Sequence, residues 1–341
     1  MPENPSLHYG RALVLRENMP GEQRDAAVPG CHDHIMQARK ANIAASVRQR
    51  LLNQARQKRI DFNLMLTRYG LERFLYRLGR SEYRDRFILK GAMLFPLWGM
   101  QSYRQTHDID LLGFGESDIE TLIGTIRAVC LTDVEDDGVR FDLESVQAEI
   151  IRDEMEYGGF RLRFNADLDG ARIHVQVDIG FGDVVTPDAV SSDFPTLLDL
   201  PMPHLRVYPR ETVVAEKFQA MVQLGIANSR MKDFHDLWMI GRLLNFDGPT
   251  LANAMARTFE RRNTPLPSDI PLALTAEFST DGQKLRQWHG FLNRAGLSVD
   301  VKLAEIITFI VTFVMPPVRA LVQGESFVKS WPPMGPWKED K

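Results

Sequence analysis

The chain has 341 residues, 44% of them apolar, enough to bury a sizeable core divided between two subdomains. Its two cysteines, Cys31 and Cys130, match no metal-ligand spacing, which argues against a disulfide scaffold and fits a reducing cytoplasm. No secretory leader is expected at the start, and the apolar run Ile306 to Met315 is too short to span a bilayer and is followed by Pro316-Pro317, so no membrane location is expected.

The formal charge of −4 conceals a segregation. Residues 1–34 mix Pro, Gly, Asn and charge without periodicity and read as a loose tail. Between Met36 and Lys90 there are fourteen Lys/Arg against four Asp/Glu, and from Met36 to Ile60 no acid at all. Helical spacing of Ile43, Val47, Leu51, Leu52 and Ala55 predicts a helix over 35–58. Interleaved with them, Arg48, Arg50, Arg56 and Lys58 make a candidate surface for a polyanion such as RNA, with a merely solvated basic face as the alternative. A second helix, 62–78, completes a basic helical region over 35–82.

Next comes the stretch with the chemistry, FILKGAMLFPLWGMQSYRQTHDIDLL from Phe87 to Leu112. It reads as a strand (Phe87 to Leu89), a Lys-Gly turn, an apolar helix (Ala92 to Trp98), a polar loop and a second strand. Side chains alternate along a strand, so Asp108 and Asp110 project to one side and Ile109 and Leu111 to the other. Two adjacent carboxylates repel unless a cation lies between them. The glycine turn just upstream leaves backbone N–H groups free for an anion. A metal-bound phosphate satisfies both.

A helix is predicted over 118–129 with Ser117 as its cap, then a strand over 145–151. A hairpin follows, with Phe160, Leu162 and Phe164 alternating before Asp169-Gly170 and Ile173, Val175, Val177 and Ile179 alternating after it. Asp178 then stands at a strand end, where it could join Asp108 and Asp110 in holding one or two Mg²⁺ ions and draw a proton from an attacking hydroxyl. Residues 187–209 read as a Pro-rich loop to a second subdomain. Helices 211–224, ended by Gly225, and 231–244 follow, the first with Glu216 and Lys217 at the margin of its apolar face, the second with Asp233 and Asp236 on one face. Further helices extend to Val322, and residues 331–341 read as a tail. The expected division is therefore 1–34, 35–82, a core over 83–186, a mainly helical subdomain over 187–330, and 331–341.

Six blocks in this order resemble the AbiEii/AbiGii-type nucleotidyltransferase toxins of the DNA polymerase β-like superfamily. They are ASVRQRLLNQA (45–55), FILKGAMLF (87–95), RQTHDIDLLGFG (104–115), VQVDIGFGD (175–183), YPRETVVAEKFQAMV (208–222) and NSRMKDFHDLW (228–238). The resemblance covers about Ala41 to Leu244. It implies an α+β fold: a polymerase β-like core with a mixed sheet, flanked by N- and C-terminal helical subdomains. It also implies a metal pair in Asp108 and Asp110, a phosphate-binding turn at Gly91-Ala92, where members commonly carry Gly-Gly or Gly-Ser, and a phosphate-facing Lys217. Arg104 matches the basic residue before the pair, and Lys232 with Asp233 the last motif. The nucleotide-facing set is then Lys90, Gly91, Ala92, Arg104, Thr106, Lys217, Arg230 and Lys232, and the catalytic set Asp108, Asp110, Asp178, Lys217 and Asp233.

The implied activity is Mg²⁺-dependent transfer of a nucleoside monophosphate from NTP to a hydroxyl, with tRNA 3′ ends the acceptor for related toxins. The family context is a bacterial toxin–antitoxin pair of phage-defence type, with an antitoxin protein as partner. Two other classes stay open. A transferase acting on a protein or small molecule needs no basic arm, and a non-catalytic nucleotide-binding interaction module needs no intact acidic set.

Overall fold

The computed structural model describes residues 29–100, 106–151, 159–297 and 301–339. The basic helix α1 (Pro29–Lys58) places Val47, Leu51 and Ala55 in the core while Arg48, Arg50, Arg56 and Lys58 face water. In α2 (Phe62–Arg80), the Asp61 carboxylate accepts the Leu64 N–H at 3.0 Å and fixes the start. The basic residues of α2 differ in kind from those of α1. Arg73 is buried against Glu72 at 2.8 Å, and Arg77 forms a fork on the buried Asp137 at 2.7 and 3.1 Å. Part of the positive charge in the basic run, that of Arg73 and Arg77, is therefore neutralised inside the fold.

One seven-stranded mixed sheet, with helices on both sides, carries the core. Its order is β3 (Arg140–Ile151), β4 (Gly159–Leu168), β5 (Ala171–Phe181), β2 (Ile109–Gly113), β1 (Phe87–Lys90), β7 (His204–Val207) and β6 (Val190–Asp193). β2 is central, parallel to β5 and antiparallel to β1. The β4–β5 hairpin turns at Asp169-Gly170, both with positive φ, as a two-residue turn requires. α3 (Ile119–Cys130) packs on β3 and α2 packs on β5 and β7.

Several expectations are corrected. Gly91–Trp98 winds as a 3₁₀ helix, with Pro96 inside it. The α3 cap is Asp118, which accepts the Thr121 N–H at 2.9 Å, rather than Ser117. Residues 187–209 are not all loop: β6 and β7 lie there, and β7 adds to β1 in parallel at Leu89 and Val207. That addition aims the following helix, α4 (Arg210–Leu224), at the end of β1.

α5 (Met231–Leu243), α6 (Gly248–Arg261), α7 (Ala276–Thr280), α8 (Gly282–Ala295) and α9 (Leu303–Gln323) complete the helical half. α9 continues through Pro316-Pro317. Pro317 has no N–H for the Phe313 carbonyl, and the Trp337 indole donates to that oxygen instead, at 2.9 Å. Residues 331–339 are accordingly no loose tail. β9 (Lys329–Trp331) joins β8 (Phe246–Asp247) and β10 (Lys338–Glu339), and the buried Trp331 indole donates to Gly241 O at 2.6 Å. Among the described helices α9 alone is long and apolar enough to cross a membrane, but half of its apolar stretch is buried against its neighbours, which include α5, α6 and α7.

Candidate active site

The register of four strands lines up one row of side chains on a single face. Arg161 on β4 is opposite Asp178 on β5, Asp178 is opposite Asp110 on β2, and Asp110 is opposite Lys90 on β1. Directly paired residues share a face, so the row reads cation, carboxylate, carboxylate, cation. Asp108 lies just ahead of β2, where Thr106 donates to its Oδ1 at 2.5 Å. Oxygens of Asp108, Asp110 and Asp178 all approach within 4.8 Å of one another. Arg161 grips Asp178 with two parallel bonds, Nε to Oδ1 at 2.8 Å and Nη2 to Oδ2 at 2.7 Å.

Gly91 is the one residue that can sit beside this row. Its φ is +69°, and a Cβ there would lie 1.9 Å from Asp110 Oδ2. The chain turns here so closely over the carboxylate that any side chain would displace it. Ala92, next along, is buried, so the turn offers main-chain groups rather than a side-chain hydroxyl.

These residues form the floor of a cleft of about 520 Å³ whose other wall comes from α4, α5 and the end of α6. Lys217 on α4 is held by two buried carboxylates of α5, Asp233 at 2.5 Å and Asp236 at 2.9 Å. Arg230 lies 3.0 Å from Asp233 on its other side. Asp233 and Asp236 are thus an interior pair serving a cation, not a surface ion-pair set, and Lys232 is the exposed member of its motif. Deeper in, Lys90 meets Asp183 at 3.2 Å, and Arg262 donates to the same carboxylate at 2.9 and 3.1 Å while lying 3.4 Å from Glu216.

Charge and burial set the proton affinities. Burial, reinforced by Asp108, pushes Asp110 up to about 6 against the pull of Lys232 and Lys90. Burial likewise raises Glu216. For Lys90, burial opposes the charge, yet Glu216, Asp183 and Asp110 together raise its pKa and keep it cationic. Burial would raise Asp233 too, but Lys217 and Arg230 hold it below the usual carboxylate value.

Of the expected residues, the cleft gathers Lys90, Gly91, Ala92, Asp110, Asp178, Lys217, Arg230, Lys232 and Asp233, with Asp108 and Thr106 at its edge. Arg104 lies outside the described residues. Arg48, Arg50, Arg56 and Lys58 are elsewhere: Arg48 pairs with Asp169 at 3.5 Å, in the turn of the β4–β5 hairpin. Asp169 is nine residues from Asp178, about 30 Å at roughly 3.3 Å per strand residue. Arg161, Glu216 and Arg262 were missed as site residues. For Arg161 a signal exists, because the two-residue turn fixes the register and seven steps back from Leu168 meet seven steps on from Ala171.

The family model "Nucleotidyl transferase AbiEii toxin, Type IV TA system" matches residues 73–307. Two solved structures from Helicobacter pylori are similar: a candidate nucleotidyltransferase, at 14% identity and TM-score 0.42 over 75% of this chain and 95% of that one, and JHP933, also at 14% and 0.42, over 81% and 94%. No curated protein matches the sequence at a significant level.

Proposed function

The chain belongs to the AbiEii family of nucleotidyltransferase toxins, and we propose that it uses Mg²⁺ and a nucleoside triphosphate to add a nucleoside monophosphate to the 3′ end of tRNA. The observation that carries this reading is the carboxylate trio of Asp108, Asp110 and Asp178, flanked in register by Lys90 and Arg161. Three hard oxygen donors within reach of one another suit Mg²⁺, and the repulsion that lifts Asp110 is of the kind a divalent cation relieves. Bound there, the ion would offset charge developing on the triphosphate and acidify the acceptor hydroxyl.

The chain's own residues do the rest. The turn at Gly91-Ala92 places main-chain N–H groups against phosphate oxygens, and Lys90 supplies charge from beneath. Lys217, Arg230 and Lys232 face the triphosphate from the opposite wall, with Asp233 fixing the first two. Asp178 accepts the proton of the attacking hydroxyl once Arg161 swings from its carboxylate to a phosphate. The acceptor oxygen then bonds the α-phosphorus as the bond to pyrophosphate breaks. Such chemistry depends on positioning and charge rather than on covalent help.

The exposed cations of α1, distant from the carboxylates, suit the body of a long RNA rather than its reacting end. With this reading go a bacterial cytoplasm as location, an antitoxin that restrains the enzyme, and a role in phage defence. The test is incubation of the protein with each labelled NTP and total tRNA. Label on tRNA, lost when Mg²⁺ is chelated, is the expected result, and label on protein or a small molecule instead would replace the tRNA reading.

A further inference from the structure

A second groove, of about 660 Å³, runs between the start of α5 and one face of α8. Ser229, Arg230 and Lys232 line both it and the carboxylate cleft, so the two are continuous. α8 contributes Gln283, Arg286, Gln287, Gly290 and Arg294, which recur at three- and four-residue steps and so make one stripe along the helix. Its opposite stripe, Lys284, Trp288 and Leu292, is buried. Lys284 Nζ donates to Asn228 O at 3.0 Å, which ties α8 to the connector leading into α5 and fixes the groove's width.

The charge in this groove is of a different kind from that in the cleft. Arg286 and Arg294 are exposed and make no ion pair or hydrogen bond among the described residues, and Lys232 makes no ion pair. Arg230, the N-cap residue of α5 at the junction, makes no side-chain capping bond among the described residues. Gln287, which also lines the groove, has its Oε1 buried with no hydrogen-bond partner among the described residues. Eight residues separate Arg286 from Arg294, about 12 Å of helix. That matches three to four stacked nucleotides at about 3.4 Å each.

We infer that this groove holds the last few nucleotides of the single-stranded 3′ end of an acceptor RNA and leads its terminal hydroxyl past Lys232 to the carboxylates. The inference rests on the nucleotidyl-transfer reading above and adds the acceptor's path. An acidic protein segment could also meet the arginines, but the groove opens into the catalytic cleft, where a substrate end is needed and a passing protein segment is not.

The test uses the full chain and a labelled single-stranded oligoribonucleotide with a free 3′ hydroxyl. Arg286→Gln with Arg294→Gln should weaken oligonucleotide binding about tenfold and reduce the slope of log affinity against log salt by about 1.4, two phosphates at roughly 0.7 each. NTP binding should not move. Should the double variant fold poorly, Arg294→Gln alone should show about half the change in slope. Unchanged affinity and slope overturn the inference, as does a parent chain that ignores the oligonucleotide. A parent that transfers nucleotide to RNA, with a variant of equal KM for that RNA, removes the groove and leaves the transfer reading intact. Weakened binding by the variant, with no transfer to RNA by either protein, upholds the groove and removes the transfer reading.

Discussion

The cleft and the two basic surfaces use positive charge in opposite ways. Of the six cations that line the cleft among the described residues, five are ion-paired: Lys90, Arg161, Lys217, Arg230 and Arg262, each with a carboxylate within 3.2 Å. On α1, Arg50, Arg56 and Lys58 face water without an ion pair among the described residues, and Arg286 and Arg294 do the same on α8. Paired charge inside the cleft fixes geometry in advance at Lys90, Lys217 and Arg262, which are largely buried and aimed by their carboxylates. Unpaired charge outside remains free for phosphates, at the cost of being screened by salt.

The largest effect expected is at the carboxylates. Asp110→Asn should cut nucleotide transfer by at least about 10²-fold to 10³-fold, while melting at or above the parent's temperature at pH 8, because it removes a charge that burial and Asp108 disfavour. A substantially lower melting temperature would mean that Asp110 holds the fold together rather than the substrate. Asp108→Asn should abolish transfer to a similar extent.

Lys217→Met probes the same cleft from its paired side. It takes from Asp233 and Asp236, both buried, the cation they share and should cost about 3 kcal/mol of stability as well as weakening NTP binding. Equal thermal stability in variant and parent would show that the two carboxylates do not depend on this lysine.

A smaller effect concerns pH. The Asp110 carboxyl is raised from the ordinary 3.8 to about 6, so its contribution to stability is present in full below about 3.8 and is lost as pH rises through about 6. A metal ion that needs the ionised form should restore that loss. The rise in melting temperature on adding Mg²⁺ should therefore be larger at pH 8 than at pH 5. An equal rise at both would disconnect the ion from Asp110.

The smallest effect belongs to the distant arm. Replacing Arg48, Arg50, Arg56 and Lys58 by Gln should weaken tRNA binding by a few fold and flatten its salt dependence. The short oligonucleotide and NTP should bind as before, since none of the four lines the cleft or the groove. Weakened oligonucleotide binding in this variant would erase the distinction between arm and groove.

Local pattern made much of this protein readable. Alternation put Asp108 and Asp110 on one side, and the Asp169-Gly170 turn announced the hairpin that carries Asp178. The same turn determines, by counting alone, that Arg161 faces Asp178. Helical spacing located α2, α4 and α5 to within two residues and the end of α1, whose start at Pro29 lies six residues before the expected one. These features depend on neighbours close in sequence, whose geometry a strand or helix period dictates.

Tertiary structure alone decided the rest. β6 and β7 are four residues each, too short for their pattern to announce them, and β7 forms where β1, more than a hundred residues earlier, offers it an edge to pair with. In α9 the donor lost at Pro317 is replaced by Trp337, whose indole bonds the Phe313 carbonyl from twenty-four residues away. Whether a cation is spent or available could not be read from composition either. Arg77 and Arg56 are the same residue in the same basic run, yet one meets Asp137 in the interior and the other meets water. Burial and partners at long sequence separation set the energy of a charge, and only the folded chain brings them together.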